Sequence, residues 1–103
     1  MIEADIYYKD KYIHGFKIKN HAKSHVCATI SMLSINTINS IECLTDDKFI
    51  CNYNENGGFI DFKLKSKPSI KADVLLNALK LGLVSAAEEY PKEIKLKESE
   101  VII

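Results

Sequence analysis

An α+β fold is what this 103-residue chain predicts: two layers, with a mostly antiparallel sheet of about five strands covered by two helices. Three observations carry the expectation. Short segments of apolar/polar alternation come in pairs around turn residues, two longer segments return their apolar residues at helical spacing, and the order reads strand, strand, helix, strand, strand, helix, strand.

Ile2, Ala4, Ile6 and Tyr8 alternate with Glu3, Asp5 and Tyr7, the period of a strand with one buried face. Lys9-Asp10-Lys11 reads as a turn, and Tyr12 to Asn20 as the returning strand, because Phe16 and Ile18 interleave with Lys17 and Lys19. From Val26 the spacing lengthens. Ile30, Leu33, Ile38, Ile41 and Leu44 recur along one helical side, although Ile, Thr, Asn and Ser are poor helix formers, so burial must hold this segment. Next come "KFICNY", the turn "NENGG" and "FIDFKLK", a second hairpin in which Ile60, Phe62 and Leu64 alternate with charged residues. Pro68-Ser69 opens a Leu- and Ala-rich helix with Asp73 near its positive end and Tyr90-Pro91 closing it. Ile94 and Leu96 mark a last strand, extending toward Val101.

This length suits one domain, residues 1–103, with no repeat, linker or low-complexity tract. Lys plus Arg and Asp plus Glu both number 14, so charge gives no reason to expect nucleic acid as the principal ligand. The start, "MIEADIYYKD", lacks the positive charge of a secretory signal, and no apolar run approaches a membrane span, which predicts a cytoplasmic protein. Cys27, Cys43 and Cys51 are an odd set without CxxC spacing, so reduced thiols are expected.

Chemistry concentrates in "NHAKSHVCATIS", residues 20–31. His21, His25 and Cys27 contain zinc-ligand types, but a closed site needs a fourth ligand and the spacing matches no paired-ligand knuckle. A packing role for the cysteine and solvated histidines is the plain alternative, and it is the reading given to Cys43, Cys51 and His14. The third reading is nucleophilic catalysis by Cys27 with His21 as base. If Ser24 caps the helix, Cys27 falls at its third position, where free backbone N–H groups and the helix dipole favour a thiolate and a developing oxyanion. Ser31, one turn beyond Cys27, is placed to orient substrate or water, unless it bonds its own backbone four residues back.

With its later "GG" hairpin, Leu-rich helix and "EYPKEIKL", the pattern "NHAKSHVCATIS" resembles the ribosomal-processing cysteine proteases of the Prp family, from residue 2 to about residue 97. Most specific is "HA" followed by "VCA" and a serine. The resemblance implies a homodimer with a Cys27–His21 dyad, Ser31 in the family's serine position, and no cofactor or metal. Members of that family remove a short N-terminal extension from the twenty-seventh protein of the large ribosomal subunit, cutting after phenylalanine in a hydrophobic stretch. Three departures stand out: Asn20 replaces a glycine, Ser24 replaces an acidic residue, and the loop to Cys27 is shorter. Asn20 tolerates a left-handed turn, while Ser24 and His25 are left as supporting groups. A peptide could lie extended along a sheet edge. The alternatives are a ribosome-associated protein-binding module with an idle dyad, or a His/Cys zinc protein.

Overall fold

The computed structural model describes residues 1–101. Its elements are β1 (Ile2–Lys9), β2 (Tyr12–Lys19), α1 (Ser24–Leu44), β3 (Phe49–Tyr53), β4 (Phe59–Leu64), α2 (Ile70–Glu89) and β5 (Ile94–Glu100). All seven expected elements are present in the expected order.

The strands form one sheet in the order β3-β4-β2-β1-β5. Every neighbour pair is antiparallel except β1 and β5. Both helices are crossovers, α1 carrying the chain from β2 past β4 to β3, and α2 carrying it from β4 past two strands to β5. Parallel strands require connections of this length.

The alternating residues meet the helices in one core. Ile2, Ala4 and Ile6 of β1, Phe16 and Ile18 of β2, and Phe62 and Leu64 of β4 pack with Val26, Ile30 and Ile41 of α1 and Leu76, Leu79 and Leu83 of α2. The opposite face carries charge in register: Lys97, Asp5, Lys17 and Asp61 lie side by side across four strands. Opposite charges on neighbouring strands support the pairing. In the next row of the same face Tyr7 is buried, and burial, with Asp61 and Asp5 close by, pushes its phenol up to about 12.

A register shift after Tyr7 bends the first hairpin. There a Cβ on Gly15 would lie 2.0 Å from the Phe62 carbonyl oxygen, so only glycine allows β2 and β4 to approach. His14, in the same bulge, is buried, and burial followed by Lys9 pushes its imidazole down despite Asp10. It stands apart from the loop chemistry, as its plain sequence reading expects.

Candidate active site

The site is built where β2 ends. Asn20 adopts φ 73°, the left-handed conformation its short polar side chain tolerates. Its N–H donates to the Gly58 carbonyl at 2.9 Å, and its Nδ2 donates to Glu3 Oε2 at 3.0 Å. The chain therefore turns off the sheet against the tip of the β3–β4 hairpin. His21 follows immediately, and its ring lies over that tip.

Gly57 and Gly58 both have φ 82°. A Cβ on Gly58 would sit 2.4 Å from His21 Nε2 and 3.0 Å from Cε1. Any larger residue at 58 displaces the imidazole, besides straining the turn. The sequence marks "NGG" as a hairpin signal, but that glycine has a second task as the floor under His21.

Beyond His21 the loop folds back on Cys27. The Ala22 N–H donates to Cys27 Sγ at 3.2 Å, and the thiol donates to the Ala22 carbonyl at 3.4 Å. The N–H contact suits thiol and thiolate alike, whereas the second contact requires the thiol. Cys27 is half-buried, neither sealed in hydrocarbon nor loose in water.

One expectation is corrected. Ser24 does not cap α1: the capping position is Lys23, with φ -59° and ψ 149° and no side-chain bond, and Ser24 is the first helical residue. The Lys23 carbonyl accepts from the Val26 and Cys27 N–H groups, each at 3.0 Å. Cys27 is thus the fourth helical residue and its own N–H is engaged. The shift has a local basis: the Lys23 carbonyl already accepts the first helical bonds, so coiling begins one residue earlier than a cap at Ser24 requires. The first turn still contains no acidic residue, so nothing opposes the helix dipole's preference for an anion beside Cys27.

The remaining candidates divide. Ser31 is exposed, and among the described residues its hydroxyl makes no bond to the backbone, although Thr29 and Thr37 on the same helix each bond the carbonyl four residues back. Its side chain is free to meet a ligand. His25 points away, with its ring edge-on to Tyr90 at 5.5 Å between centroids. Lys23 Nζ lies 4.0 Å from Glu93 Oε1, so the helix start is docked on the turn before β5. His25 and Tyr90 are a long-range pair that sequence spacing does not reveal.

Cys27, His21 and Ser31 all line one cavity of about 600 Å³. It follows α1 through Ile35, Ile38 and Asn39, with Cys51, Tyr53 and Ile60 of the second hairpin opposite. Among the described residues the sulfur's hydrogen-bond partners are the two Ala22 groups, and the imidazole is not one of them. Cys51 lines the groove too, though burial and then Asp61 push its thiol up, away from the reactive form. Cys43 is exposed elsewhere. No group of three or more His, Cys, Asp or Glu among the described residues is arranged to hold a metal ion, and no helix there is long and apolar enough to cross a membrane.

A thiol at a helix start and an imidazole facing one apolar groove, on a two-layer α+β sheet, are the parts of a thiol-dependent hydrolase. Comparison with known proteins agrees. The family profile described as cysteine protease Prp matches residues 1–95, and the chain belongs to that family. A ribosomal processing cysteine protease Prp from Staphylococcus aureus (strain NCTC 8325 / PS 47) is 30% identical over 71 residues, which span 69% of this chain and 67% of that protein. The crystal structure of an essential ribosomal processing protease Prp from S. aureus, in complex with a covalently linked product peptide, superposes with TM-score 0.90 at 28% identity. The match covers 96% of this chain and 100% of that one. SMU.848 from Streptococcus mutans has the same fold, with TM-score 0.86, 24% identity, and coverage of 98% and 96%.

Proposed function

We propose that Cys27 is the nucleophile and His21 the general acid and base of a cysteine endopeptidase that removes the short N-terminal extension of a large-subunit ribosomal protein, the twenty-seventh of the bacterial type. The reading places the enzyme in the cytoplasm as a homodimer, without cofactor. The observation that carries it is the shared groove: Cys27 and His21 lie on one apolar cavity, and the Ala22 N–H already points at the sulfur. The S. aureus relative holding a covalently linked product peptide supports a peptide in the same groove.

The steps follow from the local chemistry. Cys27 Sγ, as thiolate, adds to the scissile carbonyl carbon. The resulting oxyanion faces the helix start, where the N–H groups of Ser24 and His25 have no intrahelical acceptor, and the Ser31 hydroxyl lines the same cavity one turn further along. His21 as imidazolium gives its proton to the departing amine, the C–N bond breaks, and a thioester remains. Neutral His21 then takes a proton from water, which adds to the thioester and releases acid and thiolate. Swinging the ring from the Gly58 floor onto the sulfur completes the pair, since catalytic hydrogen bonds commonly tighten only in the complex. Ser24 and His25 act indirectly, through the helix start and its docking on Tyr90.

The test mixes purified protein with the extended ribosomal protein of the same organism and locates the cut by mass spectrometry. A single cut at the end of the extension, abolished by Cys27→Ala, is the expected result. An intact precursor, or cutting that survives Cys27→Ala, overturns the reading.

A further inference from the structure

We propose that the free edge of β3 receives the peptide substrate as an added strand, through the outward-facing main-chain groups of Cys51 and Tyr53. The inference rests on the peptidase reading above and names the surface that reading lacks.

Ladder parity fixes which groups are free. Asn54 N–H donates to the Phe59 carbonyl at 3.1 Å, and Lys65 N–H donates to the Lys48 carbonyl at 2.9 Å. These contacts bracket β3, whose register with β4 is continuous from Phe49 opposite Leu64 to Tyr53 opposite Ile60. Antiparallel pairs alternate between bonded and non-bonded, so Lys48, Ile50, Asn52 and Asn54 bond inward to β4. Phe49, Cys51 and Tyr53 therefore direct their N–H and C=O outward, along an edge that no other strand of the described residues covers.

The same residues turn their side chains to the helix layer, because Cys51 lies opposite fully buried Phe62. Main-chain groups that need a partner thus border the cavity wall. On the facing wall Ser31, Ile35 and Ile38 stand one turn apart along α1, which carries the groove from Cys27 toward Asn39. Twelve residues of helix rise about 18 Å, the length of roughly five extended residues.

The two sheet edges are treated differently. β5 carries Lys95, Lys97, Glu98 and Glu100, charges that discourage strand addition, whereas β3 reads Phe-Ile-Cys-Asn-Tyr with no charge and no proline. Tyr53 is 66% exposed and Ile35 50%, so apolar side chains stand open at the mouth of the groove. The occupant that fits is an extended apolar peptide. Its backbone bonds to Cys51 and Tyr53, every second side chain enters the groove, and its scissile bond lies at the Cys27 end. Strand addition supplies affinity without a strict sequence requirement.

The experiment uses the full chain with Cys27→Ala and a fluorescent peptide spanning the junction of the extended ribosomal protein, read by anisotropy. The peptide is N-methylated at one backbone position at a time. Methylation at alternate residues is expected to weaken binding by on the order of tenfold, with intervening positions tolerated. Tyr53→Pro, which removes an outward N–H and leaves the β4 ladder intact, should weaken binding more than Tyr53→Ala. Uniform effects of methylation, or equal effects of Tyr53→Pro and Tyr53→Ala, overturn the strand addition while leaving cleavage of the unmodified peptide untouched. A change in oligomeric state with unchanged peptide affinity assigns the edge to a second copy and also overturns it. A peptide that the wild type neither binds nor cuts removes both this inference and the peptidase reading.

Discussion

α1 and α2 are crossovers of nearly equal length, 21 and 20 residues, on the same side of one sheet, yet they are built by opposite rules. α2 satisfies its own N-terminus: the Ser69 hydroxyl accepts from the Ala72 N–H at 3.1 Å, and Asp73 lies in the first turn. Its buried face is Ala72, Leu76, Leu79, Leu83 and Ala86. α1 has no side-chain cap and no first-turn acid, and its buried face includes Ser34 and Thr37. One helix spends its sequence on stability. The other leaves its positive end unneutralised and its flank open, as the proposed reaction of a sulfur anion with a bound peptide would require.

The largest effect that can break this division is chemical. His21→Ala should lower kcat for the ribosomal precursor by about 10² to 10⁴, with thermal unfolding little changed because His21 is exposed. Leu76→Ala in α2 should do the reverse, leaving kcat near wild type at a temperature where the variant is folded. Comparable losses of turnover in both variants would show that the helices share one role.

The next effect is in stability. Leu76 is fully buried, so Leu76→Ala should cost about 2–5 kcal/mol in denaturant unfolding. Ser34 is equally buried in α1, but among the described residues its hydroxyl has no partner. Removing an unpaired buried hydroxyl is neutral or favourable, so Ser34→Ala should fall within about 0.5 kcal/mol of wild type or above it. A Ser34→Ala variant as unstable as Leu76→Ala would mean that α1 is packed for stability after all.

This contrast also explains what was legible in the sequence. α2 announces itself because cap, apolar period and closing Tyr90-Pro91 agree, and the strands do so because Ile60, Phe62 and Leu64 keep a strict period of two. α1 starts one residue before the point that a serine ahead of an apolar run signals, because the Lys23 carbonyl already accepts from the Val26 and Cys27 N–H groups. His21, Cys27 and Ser31 could be named from local pattern and resemblance, and the structure lines one groove with all three. The Gly58 floor, the Tyr90 contact and the open β3 edge could not, because each depends on segments brought together only by the folded sheet.

A smaller test separates the two helix starts directly. Ser69→Ala should cost about 1 kcal/mol, the ordinary value of a lost serine cap. Ser24→Ala should lie within about 0.5 kcal/mol of wild type, because Ser24 accepts nothing from the backbone among the described residues. Urea unfolding of the two variants decides the matter. Equal costs would restore Ser24 as a cap and undo the correction at Lys23.

The smallest effect concerns Asp47, which ties the end of α1 to the start of α2. Asp47 follows the end of α1, where its N–H donates to Thr45 Oγ1 at 3.1 Å, and its carboxylate accepts from the Ser69 N–H at 2.8 Å and the Ser69 hydroxyl at 2.5 Å. Burial pushes the Asp47 carboxyl up, but the bonds from Ser69, joined by Thr45 and the residue's own backbone, together outweigh it and hold the group below the ordinary carboxylate range. A lowered folded value means that the unfolded chain binds the proton more readily. The stabilisation is therefore present above the unfolded value, near ~3.9, and is lost as pH falls through the folded value. The stability gap between wild type and Asp47→Asn should be positive at neutral pH and shrink below about pH 4. Because this tie lies at the far end of α1 from the sulfur, Asp47→Asn should leave the iodoacetamide labelling rate of Cys27 unchanged. A slower rate would mean that the anchoring of α2 reaches the thiol, and that the division of labour between the helices is not complete.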